Sequence, residues 1–459
     1  MNNLLKDLLG TYSEKGPLEI YPFRVGGQYY VLDILGMEIY KTNENIGHVL
    51  KILVANAFQD IHDDLDKDSC IRISNFLKQR NIKAQEKLNS KELLSGYKLI
   101  MTTKCNMGCK YCFAEGGNYG MNKTSMPKEV AYRSLDFLVE YSLQDVLGVD
   151  FFGGEPLIDF EFIKDVVAYA ERKYPPPKKI NFGIISNGTL LNEEKINYCI
   201  AKNIGIGVSV DGTKEKHDSL RPFLSGTPTY DLIIKNIRQG LLKDVWRFSC
   251  SCTISHLNND IFEIAKAIKE IGFKRLILQI ENTTAQPYAL NDDDIDFLCD
   301  GFSKMAADFL KNGEHEFLFR IDMIDNYFKN LRERSRTRFR CYTGRTLFAV
   351  TPYGEFYPCP TLSNKKEFLL GDVFNGIVNH DLLRKFNNNY VDNKKICSSC
   401  WARYFCGGGC TAEGYSINND ISIPNVKICK LYKKVAMLTL CMYVLCNGKL
   451  PDSEKIKEI

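Results

Sequence analysis

Short apolar runs alternate with amphipathic helical stretches over residues 95–285, and this alternation predicts an α/β fold centred on parallel strands with helical crossovers. Two further observations flank that region. Ahead of it, two aromatic and β-branched runs meet at Gly26-Gly27; behind it, residues 341–429 are rich in Gly, Pro, Asn and Cys. The expected order is a small winged-helix-like module over 1–90, six β/α units over 95–285, a helical bridge over 286–340, and a Cys-rich extension with a C-terminal helix over 341–459.

The N-terminal module begins with LEIYPFRV and QYYVLDIL, a hairpin about the Gly-Gly turn, with MEIYKT as a third strand. Asn43 is placed to cap a helix over IGHVLKILVANAF, and the polar stretch NIKAQEKLNSKELLS reads as a helical linker. Six strands follow: YKLIMTT, LGVDFFGG, INFGIISNG, IGIGVSVDG, RFSCSCTI and RLILQIE. Between them lie KEVAYRSLDFLVEYS, FEFIKDVVAYAERKY, EEKINYCIAKN, YDLIIKNIRQGLL and DIFEIAKAIKEIG, all with helical periodicity. Six such units fit an incomplete barrel or an open doubly wound sheet, and either places functional residues beyond the C-terminal strand ends. Two helical stretches over about 291–335 lead to the Cys-rich segment, which carries too little core to fold alone; bound metal is expected to stabilise it.

Composition narrows the partners. A chain of 459 residues with 44% apolar and 25% charged residues is globular and large enough for about two or three domains. The 60 Lys and Arg against 56 Asp and Glu leave +4, too even for a protein that grips phosphate backbones through overall charge. The first residues, MNNLLKDLLGTYSEKGP, have no basic region followed by a sustained apolar stretch, so a cytoplasmic location is expected. The longest apolar run, Val435 to Cys446, has twelve residues against the ~20 that span a bilayer, and reads as a buried helix. Neither nucleic acid nor membrane is an expected partner. The 17 cysteines are the outlier, and in a reducing compartment clustered thiols bind metal or do chemistry more often than they form disulfides.

Directly after the first of the six strands comes Cys105-Asn-Met-Gly-Cys109-Lys-Tyr-Cys112. Three thiolates on one loop can hold three irons of a cubane and leave the fourth open; a zinc site or incidental loop cysteines are the plainer alternatives. The C-x3-C-x2-C spacing, with Phe152-Gly153-Gly154-Glu155-Pro156 ending the second strand and Ser186-Asn187-Gly188 ending the third, resembles the radical S-adenosylmethionine (SAM) enzymes over residues 95–285. The resemblance implies a partial (β/α)6 barrel in which SAM chelates the open iron and is cleaved to methionine and a 5'-deoxyadenosyl radical. It implies that Gly153 and Gly154 let backbone approach the SAM amino group with Glu155 nearby, that Ser186 and Asn187 bond the ribose region, and that Tyr111 lies by the adenine. Ser209-Val-Asp211-Gly212 and Arg221 resemble the SAM-contacting segment that follows, with Arg221 on the SAM carboxylate, Ser209 as a contact and Asp211 as a catalytic candidate or a turn residue. His217 reads as a packed or solvated histidine.

Near the C-terminus the spacing is Cys397-x2-Cys400-x5-Cys406-x3-Cys410, then Cys429, with Cys341, Gly354 and Cys359 upstream. Alone it admits a zinc ribbon. Beside the first motif it resembles the seven-cysteine SPASM extension with two auxiliary [4Fe-4S] clusters, which makes three clusters in all. The resemblance implies Cys397, Cys400, Cys406 and Cys429 on the outer cluster and Cys341, Cys359 and Cys410 on the inner one, where one iron lacks a cysteine. Such an iron suits a substrate thiolate. Cys70, Cys199, Cys250, Cys252, Cys299, Cys441 and Cys446 are expected to be packing residues, and Trp401, Tyr404 and Phe405 to shield the outer cluster from water.

SPASM-bearing enzymes commonly modify peptides, and the N-terminal module resembles the precursor-recognition element of ribosomal-peptide maturases, in which a leader strand adds to a sheet edge. The resemblance therefore implies a thioether-forming maturase of the sactipeptide and ranthipeptide kind. Its partners would be a precursor peptide and an electron donor such as a flavodoxin or ferredoxin. Two alternatives stand beside it: formylglycine formation in a sulfatase or carbon–carbon cross-linking on the same scaffold, and a zinc-ribbon binding protein.

Overall fold

Gly26 and Gly27, with φ of 56° and 83°, form the tight turn between β1 (Ile20–Val25) and β2 (Gln28–Asp33). A two-residue turn that matches strand twist needs positive φ at both positions, which glycine adopts without strain. β3 (Glu38–Thr42) completes an antiparallel meander, and the backbone of Lys457–Glu458 pairs parallel with its outer edge. The computed structural model describes residues 19–55, 67–79, 94–281 and 287–446, with the backbone of 457–458. The expected linker helix lies outside the described residues up to position 93. The Asn43 side chain accepts from Ile46 N–H at 2.9 Å and opens α1 (Glu44–Val54). With α2 (Lys67–Gln79), this helix encloses a separate small core of Ile20, Val31, Ile46, Leu50, Ile73 and Phe76.

The six expected parallel strands are β4 (Gly96–Thr102), β5 (Val146–Gly153), β6 (Lys179–Ser186), β7 (Gly205–Ser209), β8 (Phe248–Ile254) and β9 (Leu276–Ile280). They lie side by side in chain order. That order is a barrel's, since a doubly wound sheet reverses at a switch point. The crossovers are α3 (Lys128–Tyr141), α4 (Phe160–Lys173), α5 (Glu193–Ala201), the pair α6 (Lys214–Leu220) and α7 (Tyr230–Asp244), and α8 (Ile261–Ile271). Gly272, with φ of 106°, ends α8 in the left-handed conformation. The short charged α6 escaped the periodicity reading because its seven residues, about two turns, show no apolar stripe.

The barrel does not close. β9 is one end of a ten-stranded sheet that continues past β4 into β10 (Leu347–Val350), β11 (Glu355–Tyr357), β12 (Gly371–Asp372) and β13 (Gly376–Ile377). β10 runs parallel to β4, with Leu347 opposite Gly96 and Val350 opposite Leu99. The extension, expected to carry too little core to fold alone, thus packs into the barrel's core. Phe348, Val350, Phe356, Leu362 and Val373 belong to the same buried cluster as Tyr97, Leu99 and Phe151 of the barrel. The bridge supplies α9 (Asp292–Lys311), α10 (His315–Leu318) and α11 (Asp322–Arg332), and α12 (His380–Asn387), α13 (Arg403–Cys406) and α14 (Thr411–Asn418) follow in the extension. α15 (Val426–Leu445), which contains most of the long apolar run, packs on α9 and α11; no helix among the described residues is long and apolar enough to cross a membrane.

The N-terminal sheet is seated on the extension. Tyr21 stacks on Trp401 with centroids 4.0 Å apart, and the buried Arg403 guanidinium pairs with Glu19 at 2.6 Å. Phe405 packs edge-on against Tyr327, and Tyr404 donates to Asp392 at 2.8 Å. These aromatics thus bind neighbouring elements, beyond the shielding expected of them.

Candidate functional site

The Cys105–Cys112 loop leaves β4 and is gripped on two sides. On one, Gly108 N–H donates to Pro222 and Lys110 N–H to Leu220, both at 2.9 Å, which fastens the loop to the segment carrying Arg221. On the other, Gly154 N–H donates to Thr102 at 2.8 Å and Glu155 N–H to Lys104 at 2.9 Å. A Cβ on Gly153 would stand 2.3 Å from the Thr102 carbonyl oxygen, and one on Gly154 2.2 Å from that of Lys104. The glycines therefore let the end of β5 lie against the cysteine loop.

Glu155 is fully buried and accepts from Ser186 Oγ at 2.8 Å, Asn187 N–H at 2.7 Å and Leu157 N–H at 3.0 Å. Burial raises its pKa, and these donors oppose the rise. Asn187 Nδ2 donates to Asn106 at 2.9 Å and stands 3.9 Å from Cys105 Sγ. Glu155, Ser186 and Asn187 thus form one network joining the ends of β5 and β6 to the cysteine loop.

Beyond β7, which ends at the half-buried Ser209, the fully buried Asp211 accepts from the Tyr111 hydroxyl and, at 3.1 Å, from Thr253 N–H. Arg221 Nη1 donates to Tyr111 Oη at 2.6 Å and lies 4.0 Å from Asp211. Its Nε is buried with no hydrogen-bond partner among the described residues. A buried guanidinium with an unsatisfied N–H beside the cysteine loop fits the carboxylate of an amino-acid ligand such as SAM. His217 is buried beneath this group: its Nδ1 accepts from Asp211 N–H at 3.2 Å, so its Nε2–H donates to Thr229 Oγ1 at 3.1 Å, and burial pushes its pKa down to about 3. It is a packed histidine.

The ten motif cysteines gather into three groups. Burial raises Cys109 to about 11, with Cys112 and Cys105 adding to the rise. Burial raises Cys359 to about 12, with Cys410 and Cys341 adding. Burial raises Cys397 to about 12, with Cys406, Cys429 and Cys400 adding. Such thiols resist ionisation until a metal takes the proton's place, so coordination relieves the cost of gathering them. Among the described residues, no three His, Cys, Asp or Glu side chains are drawn in around a single ion. The other cysteines, Cys70, Cys199, Cys250, Cys252 and Cys299, are buried, with Cys441 and Cys446 half-buried.

Cys341 and Cys410 border a cavity of about 1100 Å³ between the end of β9, α11 and the extension, whose wall includes Tyr327, Arg340, Glu413 and Tyr432. Burial raises Glu413 to about 7, although Asn425 donates to it at 2.9 Å. Sequence reasoning passed over several residues here. Tyr119 donates to Gly153 O at 2.9 Å beside Cys105 and Cys112, and its only sequence signal was its place just after the motif. Asn106 lay inside the motif itself. Glu413 and Lys394 look like ordinary charged residues of a polar segment.

Residues 99–240 match the radical SAM superfamily, and residues 341–401 match SPASM, an iron-sulfur cluster-binding domain. An uncharacterized protein of Methanocaldococcus jannaschii is 30% identical over 58% of this chain and 84% of its own. A cysteine-type anaerobic sulfatase-maturating enzyme of Clostridium novyi is 22% identical over 71% of this chain and 88% of its own. Among solved structures, anSMEcpe with bound AdoMet superposes with a TM-score of 0.65 at 20% identity, covering 77% of this chain and 100% of that one. Streptococcus suis SuiB bound to precursor peptide SuiA gives 0.51 at 14% identity, covering 88% and 97%. With the cysteine loop, the strand-end network and the C-terminal cysteines in place, the chain belongs to the radical SAM superfamily and carries a SPASM domain, and its cofactors are SAM, a SAM-binding [4Fe-4S] cluster and auxiliary clusters.

Proposed function

We propose that this protein forms thioether cross-links in a ribosomally made precursor peptide, joining a Cys sulfur to a carbon of an acceptor residue. The observation that carries this reading is the inner cysteine group: Cys341, Cys359 and Cys410 supply three thiolates, and two of them border a cavity of about 1100 Å³, large enough for a peptide segment. The corner without a cysteine is where a substrate thiolate would be held.

When bound, SAM and its cluster supply one-electron cleavage, so that per link the acceptor carbon gives a hydrogen atom to the 5'-deoxyadenosyl group, the substrate thiol loses a proton, and one electron passes to the auxiliary clusters. The chain's residues arrange this. Cys105, Cys109 and Cys112 hold the SAM-binding cluster. Arg221 Nε would take the SAM carboxylate, while Tyr111 and Asp211 keep the guanidinium aimed. The end of β6, where Ser186 and Asn187 are tied to Glu155 and Asn106, and Ser209 at the end of β7 would border the ribose. Cys397, Cys400, Cys406 and Cys429 hold the outer auxiliary cluster. The N-terminal sheet would receive the leader at β3 in exchange for Lys457–Glu458, which pair there as an added strand. A flavodoxin or ferredoxin class of donor supplies the electrons.

Reduced enzyme, SAM and a Cys-containing precursor encoded beside the gene should yield a product lighter by two hydrogens per link, with the linked thiols no longer alkylatable. A lighter product whose thiols all persist would mean carbon–carbon linkage. Formylglycine formation is the second reading, favoured by the sulfatase-maturating relative of Clostridium novyi; its product loses the sulfur of the target cysteine, which mass spectrometry separates at once.

A further inference from the structure

Lys394 is only 2% exposed, and an ammonium removed from water is costly unless opposite charge faces it. Its Nζ donates to the Gly408 carbonyl at 3.0 Å. Gly408 is the middle of Gly407-Gly408-Gly409, the run that joins Cys406 of the four-cysteine group to Cys410 of the three-cysteine group. Its own N–H donates to Cys406 Sγ at 3.4 Å, and Cys397 N–H donates to the Lys394 carbonyl at 2.8 Å.

The glycines allow this fit. A Cβ on Gly407 would stand 2.4 Å from Arg340 N, and one on Gly408 would press at 3.2 Å on Lys394 Cδ and Val391. One short stretch of backbone thus separates the two thiolate groups, with a buried cation laid against it. Burial lowers the pKa of Lys394, and the charges that oppose this are the thiolates of Cys397 and Cys406 from one group and Cys410 and Cys341 from the other.

We propose that Lys394 sets the reduction potentials of the auxiliary clusters, as a fixed positive charge between them that favours their reduced states. Each electron added makes a cluster more negative, and a nearby buried cation lowers the energy of that state more than an exposed one does. A lysine suits the place, because its stem lies against Gly408 beside Val391 and its charge is compact. Lys394 is a positioning residue for electrons and touches no substrate. The inference rests on assigning the seven C-terminal cysteines to two clusters, and is independent of which peptide modification is made.

The test is a redox titration of the reconstituted enzyme followed by electron paramagnetic resonance, comparing wild type with Lys394→Met, Lys394→Gln and, as an exposed neighbour, Lys395→Met. The cluster on Cys105, Cys109 and Cys112 is the internal reference and should keep its midpoint. In Lys394→Met the reduced-to-oxidised ratio of the auxiliary clusters at fixed potential should fall at least about tenfold, which is 59 mV for a one-electron couple; Lys395→Met should leave it in place. If Lys394→Met sheds iron, Lys394→Gln, which keeps a polar N–H near the Gly408 carbonyl without the charge, is the variant to read. An unshifted auxiliary midpoint in a variant with full iron overturns the proposal, as does iron loss from both variants. Failure of the underlying cluster assignment is distinguishable, since the wild-type protein would then hold about four irons where three cubanes need about twelve.

Discussion

Arg221 concentrates several demands in one side chain. Its Nη1 is committed to Tyr111 and its buried Nε is left for a ligand. Arg221→Lys keeps a charge but loses the planar fork, so SAM affinity of the reconstituted enzyme should weaken by about tenfold to a hundredfold in equilibrium binding. His217 carries a different prediction. Its pKa in the fold is about 3 against an ordinary 6.5, so below pH 6.5 the unfolded chain binds a proton that the native one refuses. The stability that neutral His217 contributes is whole above that pH and is lost as pH falls toward 3, amounting to about 1 kcal/mol between pH 7 and 5.5. Thermal unfolding of His217→Gln should lack that share of the acid sensitivity. The sequence identified both residues by type, since their spacing after Ser209-Val-Asp211-Gly212 was readable. It could not tell that Glu155, Ser186 and Asn187 bond first to one another, because strands distant in sequence meet there.

Strands and loops succeed here through close backbone contact. Gly154 lets β5 touch the cysteine loop, and no side chain fits between its Cα and the Lys104 carbonyl. Gly154→Ala should displace that loop while leaving the C-terminal cysteines undisturbed, so that iron per chain falls by about four and the auxiliary signals persist. Iron analysis with electron paramagnetic resonance reads both. The six parallel strands were legible because short apolar runs alternated with amphipathic helical stretches, and those of β5, β6 and β7 ended in Gly-Gly, Asn-Gly and Asp-Gly turns. β10 was not. Leu347–Val350 reads as any apolar tetrad, and only its pairing with a strand some 250 positions earlier gives it a place.

Across the protein, the N-terminal sheet, the barrel and the extension bear on one another through a few side chains. Arg403 links the first sheet to the outer cysteine group by its pair with Glu19 and its approach to Asp392 at 3.4 Å. Arg403→Met removes the buried guanidinium that two partly exposed carboxylates share and should cost about 2 kcal/mol. It should also open residues 19–55 to limited proteolysis before the barrel is cut.

The register of β10 on β4 carries a consequence for how the protein is made. β4 emerges early in synthesis, yet its outer neighbour is not available until residue 350 has left the ribosome. Until then the strand that leads into Cys105 presents an unpaired edge, and the loop beyond it lacks half of its flanking sheet. A nascent chain cut before residue 347 should therefore show a β4 edge open to hydrogen exchange and to mispairing, although the partners that grip the cysteine loop itself, up to Pro222, are already present.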